Sequence, residues 1–111
     1  MNKHTPIKSL VLRWGFSFAL NDQQVKGFID RLERTADGEH VVIDYKTGYP
    51  IETKNSVRQN LQMNMYCLVI RDKFDKLPQR ASFFYMKHNE LMDYYPNEEN
   101  IDTHKNSAQR L

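Results

Sequence analysis

Two aspartates and a lysine are spaced so that they can converge on one point. The segment Lys26-Gly27-Phe28-Ile29-Asp30-Arg31-Leu32 leads through Ala36-Asp37-Gly38 to Val41-Val42-Ile43-Asp44-Tyr45-Lys46-Thr47-Gly48. Asp30 and Asp44 each end a run of β-forming residues expected to be buried. A carboxylate in such a place is costly without a partner, and a bound cation is a common one. Lys46 follows Asp44 by two residues. The strand period of two puts both side chains on one face, roughly 7 Å apart. Two carboxylates and a lysine at one point are groups that a metal-dependent phosphodiesterase uses.

The turn between the strands fixes whether the carboxylates meet. A three-residue hairpin loop prefers Gly in its left-handed last position, and Ala36-Asp37-Gly38 fits that pattern. Thr35 then stands opposite Glu39, and counting back sets Asp30 opposite Asp44. Directly opposed residues share a face, with Cβ atoms roughly 5 Å apart. A two-residue Asp37-Gly38 loop would shift the register by one and separate them. The three-residue loop is the expectation.

The positioning elements follow from pattern. Ser9 to Leu20 alternates strictly, with Leu10, Leu12, Trp14, Phe16, Phe18 and Leu20 on one apolar face. Asn21-Asp22-Gln23 turns the chain into a second strand, 24–35, and a third strand covers 40–47. Gly48-Tyr49-Pro50 stops the third strand. Asn55 or Ser56 caps a helix reaching Arg71 or Asp72, with Val57, Leu61, Met65, Leu68 and Val69 along its buried side. Strands over 80–87 and 91–95 complete the set. The expected fold is α/β: a three-stranded antiparallel meander, one helix and two further strands in a mixed sheet, with the helix covering a sheet face.

The chain has 111 residues, enough for a single domain, with a core over about 9–95 and a polar tail over 96–111. A net charge of +2 neither requires nor excludes a nucleic-acid partner. The single cysteine, Cys67, excludes an internal disulfide and a four-cysteine metal site, and packing is its expected role. No apolar stretch is long enough to cross a membrane, and no signal-peptide pattern opens the chain. A cytoplasmic setting is expected.

Three motifs resemble the RecB-like branch of the PD-(D/E)XK nuclease superfamily. They are Gly27-Phe28-Ile29-Asp30-Arg31, Asp44-Tyr45-Lys46-Thr47-Gly48, and Gln62-Met63-Asn64-Met65-Tyr66 on the following helix. The resemblance implies a restriction-endonuclease-like fold and DNA cleavage with magnesium or manganese. It makes Asp30 and Asp44 metal ligands, with the main-chain carbonyl of Tyr45 as a third. It gives Lys46 the attacking water and the phosphate, and turns Gln62 and Tyr66 toward the site. Relatives of this kind are often joined to a helicase. The family also places a helix before the first strand. Here Pro6 interrupts the short segment carrying His4, so the chain resembles a nuclease core truncated at its N-terminus. That implies a weak nuclease with an uncovered apolar face, which self-associates or docks on the remainder of a larger protein.

Plainer roles exist for each residue. Asp30 can pair with Arg31 or Arg34, and Asp44 with Lys46, as ordinary ion pairs. Gln62 and Tyr66 can be a helix-surface pair. Phe83-Phe84-Tyr85 is expected in the core. His4, His40, His88 and His104 are expected to be solvated. Such roles leave two other functions open: a catalytically incomplete nuclease-like module that binds DNA or a partner, or a plain interaction domain.

Overall fold

The computed structural model describes residues 6–48, 51 and 53–102. Five strands form one sheet in the order β1-β2-β3-β4-β5: β1 (Ile7–Leu20), β2 (Gln23–Thr35), β3 (His40–Lys46), β4 (Arg80–Tyr85) and β5 (Glu90–Tyr94). The first three strands are an antiparallel meander, β3 and β4 run parallel, and β5 returns antiparallel. The parallel step needs a crossover. Helices α1 (Lys54–Arg58) and α2 (Leu61–Phe74) supply it. The mixed α/β sheet is the one expected. Tyr49, Pro50, His4, His104 and the tail from 103 onward lie outside the described residues.

The β2–β3 turn is the three-residue loop. Thr35 N–H donates to the Glu39 carbonyl at 2.8 Å, and Gly38 N–H to the Thr35 carbonyl at 2.9 Å. Gly38 takes φ 85°, a conformation that costs a side-chain-bearing residue. The ladder then pairs Arg34 with His40 and Arg31 with Ile43, which carries Asp30 opposite Asp44.

The first strand departs from expectation. Its even positions do not hold one face throughout. Leu10 and Leu12 are exposed, whereas Phe18 is buried and Trp14 and Phe16 pack on the core. The change of phase falls at Arg13, whose backbone is left-handed at φ 55°. Leu12 pairs with Arg31 and Trp14 with Ile29, and the pairing skips Arg13 and its opposite number Asp30. The second strand changes phase at the same place, since Ile29 and Leu32 are both buried, three residues apart. In β1 the left-handed Arg13 rotates the following side chains to the other face.

The helix is also not continuous. Thr53 rather than Asn55 or Ser56 caps α1, its hydroxyl accepting from Ser56 N–H at 3.1 Å. A break at Gln59-Asn60 restarts the chain as α2, and Asn60 caps it by accepting from Met63 N–H at 2.8 Å. The restart resets the rotation. Leu61 is exposed instead of buried, and Met63, Tyr66, Cys67 and Ile70 face the sheet with Leu68 and Val69. Each such side chain fully buried contributes about 1.5–3 kcal/mol.

Asn64 is wholly buried in this helix. Its amide donates to the carbonyls of Arg58 and Asn60, both at 2.8 Å, and its oxygen accepts from the Tyr94 hydroxyl at 2.8 Å. One side chain thus closes the helix break and ties α2 to β5. Packing also extends past Tyr95, because Ile101, in a helical turn over 98–102, is buried in the core. Phe83 and Tyr85 are core residues, and burial pushes the Cys67 thiol pKa up, which leaves it an inert packing group.

Candidate active site

The β2–β3 ladder ends at Arg31 and Ile43, and the site begins where it ends. On the other side of β3, the Lys46 carbonyl accepts from Met86 N–H at 3.1 Å. Strand alternation therefore turns the N–H and carbonyl of Tyr45 toward β2. With no ladder partner left there, Tyr45 N–H donates to Asp30 Oδ2 at 2.8 Å. Asp30 is thereby held against β3 beside Asp44. Arg31 is not its ion-pair partner; the Arg31 guanidinium binds Glu33 at 2.7 Å and reaches the Tyr45 side chain.

Asp44 is buried, 5% exposed. Its Oδ2 is ion-paired with Lys46 Nζ at 3.0 Å. Burial, the largest effect, raises the Asp44 pKa; Lys46 opposes it, and neighbouring Asp30 adds to it. The Lys46 ammonium also lies over the Phe83 ring, 4.9 Å from its centroid. Two carboxylates side by side, one of them buried and sharing a single lysine counter-charge, are costly for the fold and suited to ligating a cation.

Tyr66 approaches from α2. Its pKa is pushed up to about 12, first by burial and then by the charges of Asp44 and Asp30, with a hydrogen bond from Gln62 opposing. The phenol therefore stays protonated and can donate, but it cannot serve as a base near neutral pH. Gln62 is exposed and touches the site through Tyr66. The Phe16 ring supports Tyr66 edge-on at 6.0 Å. Phe16 lies across Gly27, where an added Cβ would come within 3.0 Å of the ring. That close approach is the physical reason for glycine at the head of the Asp30 motif.

Asp30, Asp44, Tyr45, Lys46, Gln62 and Tyr66 thus gather at one end of the sheet. Among the described residues, no third His, Cys, Asp or Glu joins the two carboxylates. A hard divalent cation suits this set, since it binds through one or two carboxylates and keeps water in its other positions. The sequence matches the PD-(D/E)XK nuclease superfamily over residues 2–110. The chain belongs to that superfamily. Its fold is similar to the crystal structure of SSO0001, with a TM-score of 0.52 at 16% identity. The match covers 88% of this chain and 46% of that one, so this chain spans less than half of its solved relative. None of the curated proteins matches the sequence. In this PD-(D/E)XK chain no described helix is long and apolar enough to cross a membrane.

Two buried contacts were not expected from sequence. Asn64, a spacer within the Gln62–Tyr66 motif, is the buried clasp two residues before Tyr66. His40, expected to be solvated, is half-buried against Phe74 with ring centroids 4.1 Å apart. His88 is exposed as expected.

Proposed function

We propose that this chain is a metal-dependent DNA nuclease domain that hydrolyses phosphodiester bonds. The observation that carries it is the buried Asp44 carboxylate, ion-paired with Lys46 and placed beside Asp30. Asp30, Asp44 and the Tyr45 carbonyl are the proposed holders of magnesium or manganese. When bound, such a cation polarises the phosphate and makes a water nucleophilic at neutral pH. The chain's own groups do the rest. Lys46 turns from Asp44 to the attacking water and the phosphate oxygens, where negative charge develops. Tyr66, protonated, donates to a phosphate oxygen, and Gln62 orients that phenol.

The three motifs support placement in the RecB-like branch and work beside a helicase or within a larger nuclease. Leu10, Leu12, Phe28 and Leu91 are exposed apolar side chains, which supports self-association or docking on a larger protein. A second function, a catalytically incomplete module that binds DNA, is favoured by one observation: among the described residues, only two carboxylates meet at the site.

Lys46→Ala separates the two. Cleavage of a labelled oligonucleotide in manganese is expected to fall by about 10²–10³-fold. Manganese affinity by calorimetry is expected not to weaken, because the ammonium competes with a cation for Asp44. Full activity in this variant removes Lys46 from the mechanism. No cleavage by the parent protein, with manganese bound, favours the incomplete module.

A further inference from the structure

At the other end of β3 from the carboxylates lies an open cleft of about 370 Å³ between β1, β2, β3 and the C-terminal end of α2. Its walls are Trp14, His40 and Phe74, with Val11, Leu32 and Arg34. The His40 and Phe74 rings stack at 4.1 Å, and Trp14 lies 6.0 Å from Phe74. The rings continue toward the site: Trp14 is 6.3 Å from Phe16, and Phe16 is 6.0 Å from Tyr66, which faces Asp44 and Asp30. Burial and the nearby Arg34 lower the His40 pKa, with Glu39 opposing, so its ring stacks uncharged.

The charges around the cleft are uneven. The acidic neighbours already have partners, Glu33 in Arg31 and Glu39 in Lys76. Among the described residues Arg34 takes part in none of the ion pairs. An open aromatic wall beside a guanidinium that joins none of the ion pairs suits a flat ring that carries an anion. A nucleotide has both, and the volume suits one.

We propose that the cleft holds an unpaired base of the DNA strand being cut, with its phosphate on Arg34. The identity of the strand rests on the nuclease function proposed above. His40 and Asp44 are four residues apart on β3, about 13 Å. A base in a duplex is stacked and paired and has no free face for this wall, so the cleft selects substrates with a single-stranded end.

Trp14 is the only tryptophan and lines the cleft, so its fluorescence reports occupancy directly. The probe is a single-stranded oligothymidylate titrated in EDTA, where no metal-dependent cleavage occurs. Saturable quenching is expected, with little from a blunt duplex. Phe74→Ala is expected to weaken the apparent affinity about tenfold. Phe74 is at the end of α2 and 39% exposed, so the fold should survive, and circular dichroism checks it. Arg34→Gln, at an exposed position, is expected to weaken binding and lower the salt slope by about one ion. Unchanged fluorescence with the single strand, or equal quenching by the blunt duplex, overturns the proposal. Cleavage in manganese, read on the same preparations, keeps the two ideas apart. Cutting without quenching removes the cleft and keeps the nuclease. Quenching without cutting does the reverse.

Discussion

Asp44→Asn is expected to abolish cleavage and make the protein more stable. The loss should reach at least about 10³-fold, since one change removes a proposed cation ligand and the partner that positions Lys46. The gain follows from burial. Asp44 has a folded-state pKa above its ordinary 3.8, because burial outweighs the help from Lys46. A raised carboxyl pKa means that the folded state prefers the protonated form. Its contribution is therefore favourable below the unfolded pKa and becomes a penalty as pH rises through the folded value. At neutral pH the charged group is a net cost, and asparagine relieves it. A gain of about 1 kcal/mol is in the usual range for such changes. It corresponds to about 5 °C in Tm. The gain should fade as pH is lowered toward 3.8. Thermal melts at neutral pH and at pH near 4 check both halves. A variant less stable than the parent at neutral pH would mean that Asp44 serves the fold, as an ordinary ion pair would.

Asn64→Ala is expected to cost about 3 kcal/mol, read as a Tm lower by about 15 °C. The side chain makes three hydrogen bonds in a wholly buried position, to the Arg58 carbonyl, the Asn60 carbonyl and the Tyr94 hydroxyl. Alanine leaves those groups short of partners, and each buried polar group left unpaired costs about 1–3 kcal/mol. Asn100 still reaches the Arg58 carbonyl at 3.3 Å and the Tyr94 hydroxyl, which keeps the loss below the sum. Activity should fall as well, because Asn64 sets the rotation of α2 two residues before Tyr66. A loss under about 1 kcal/mol in urea or thermal melts would show that the clasp does not hold the break.

The carboxylate pair was legible in the sequence because a turn sets a register. Ala36-Asp37-Gly38 has the glycine that a left-handed position needs, and the register follows from counting. Lys46 and Asp44 share a face for the same reason, the period of two. The first strand shows the limit of that rule. Leu10 to Leu20 alternates without a flaw in sequence, yet Arg13 adopts a left-handed backbone and turns Leu10 and Leu12 out to solvent. Arginine carries no local mark of such a kink; the cause is tertiary, at the point where Asp30 leaves the ladder to reach Tyr45. The helix break did leave a mark. Asn60 is a strong capping residue, but the apolar spacing of Val57, Leu61 and Met65 ran through it and suggested one continuous helix. Asn64 was illegible because a polar residue on a helix is usually exposed, and only the break at Gln59-Asn60 creates carbonyls for it to satisfy.

Cleavage of a DNA substrate with a single-stranded end, compared in manganese, in EDTA and with Asp44→Asn, tests the proposed function most directly. Cutting by the parent chain in manganese, with none in EDTA and none by the variant in manganese, is the expected result. Cutting that persists in EDTA, or that Asp44→Asn leaves intact, would contradict a nuclease centre built on Asp30, Asp44 and Lys46.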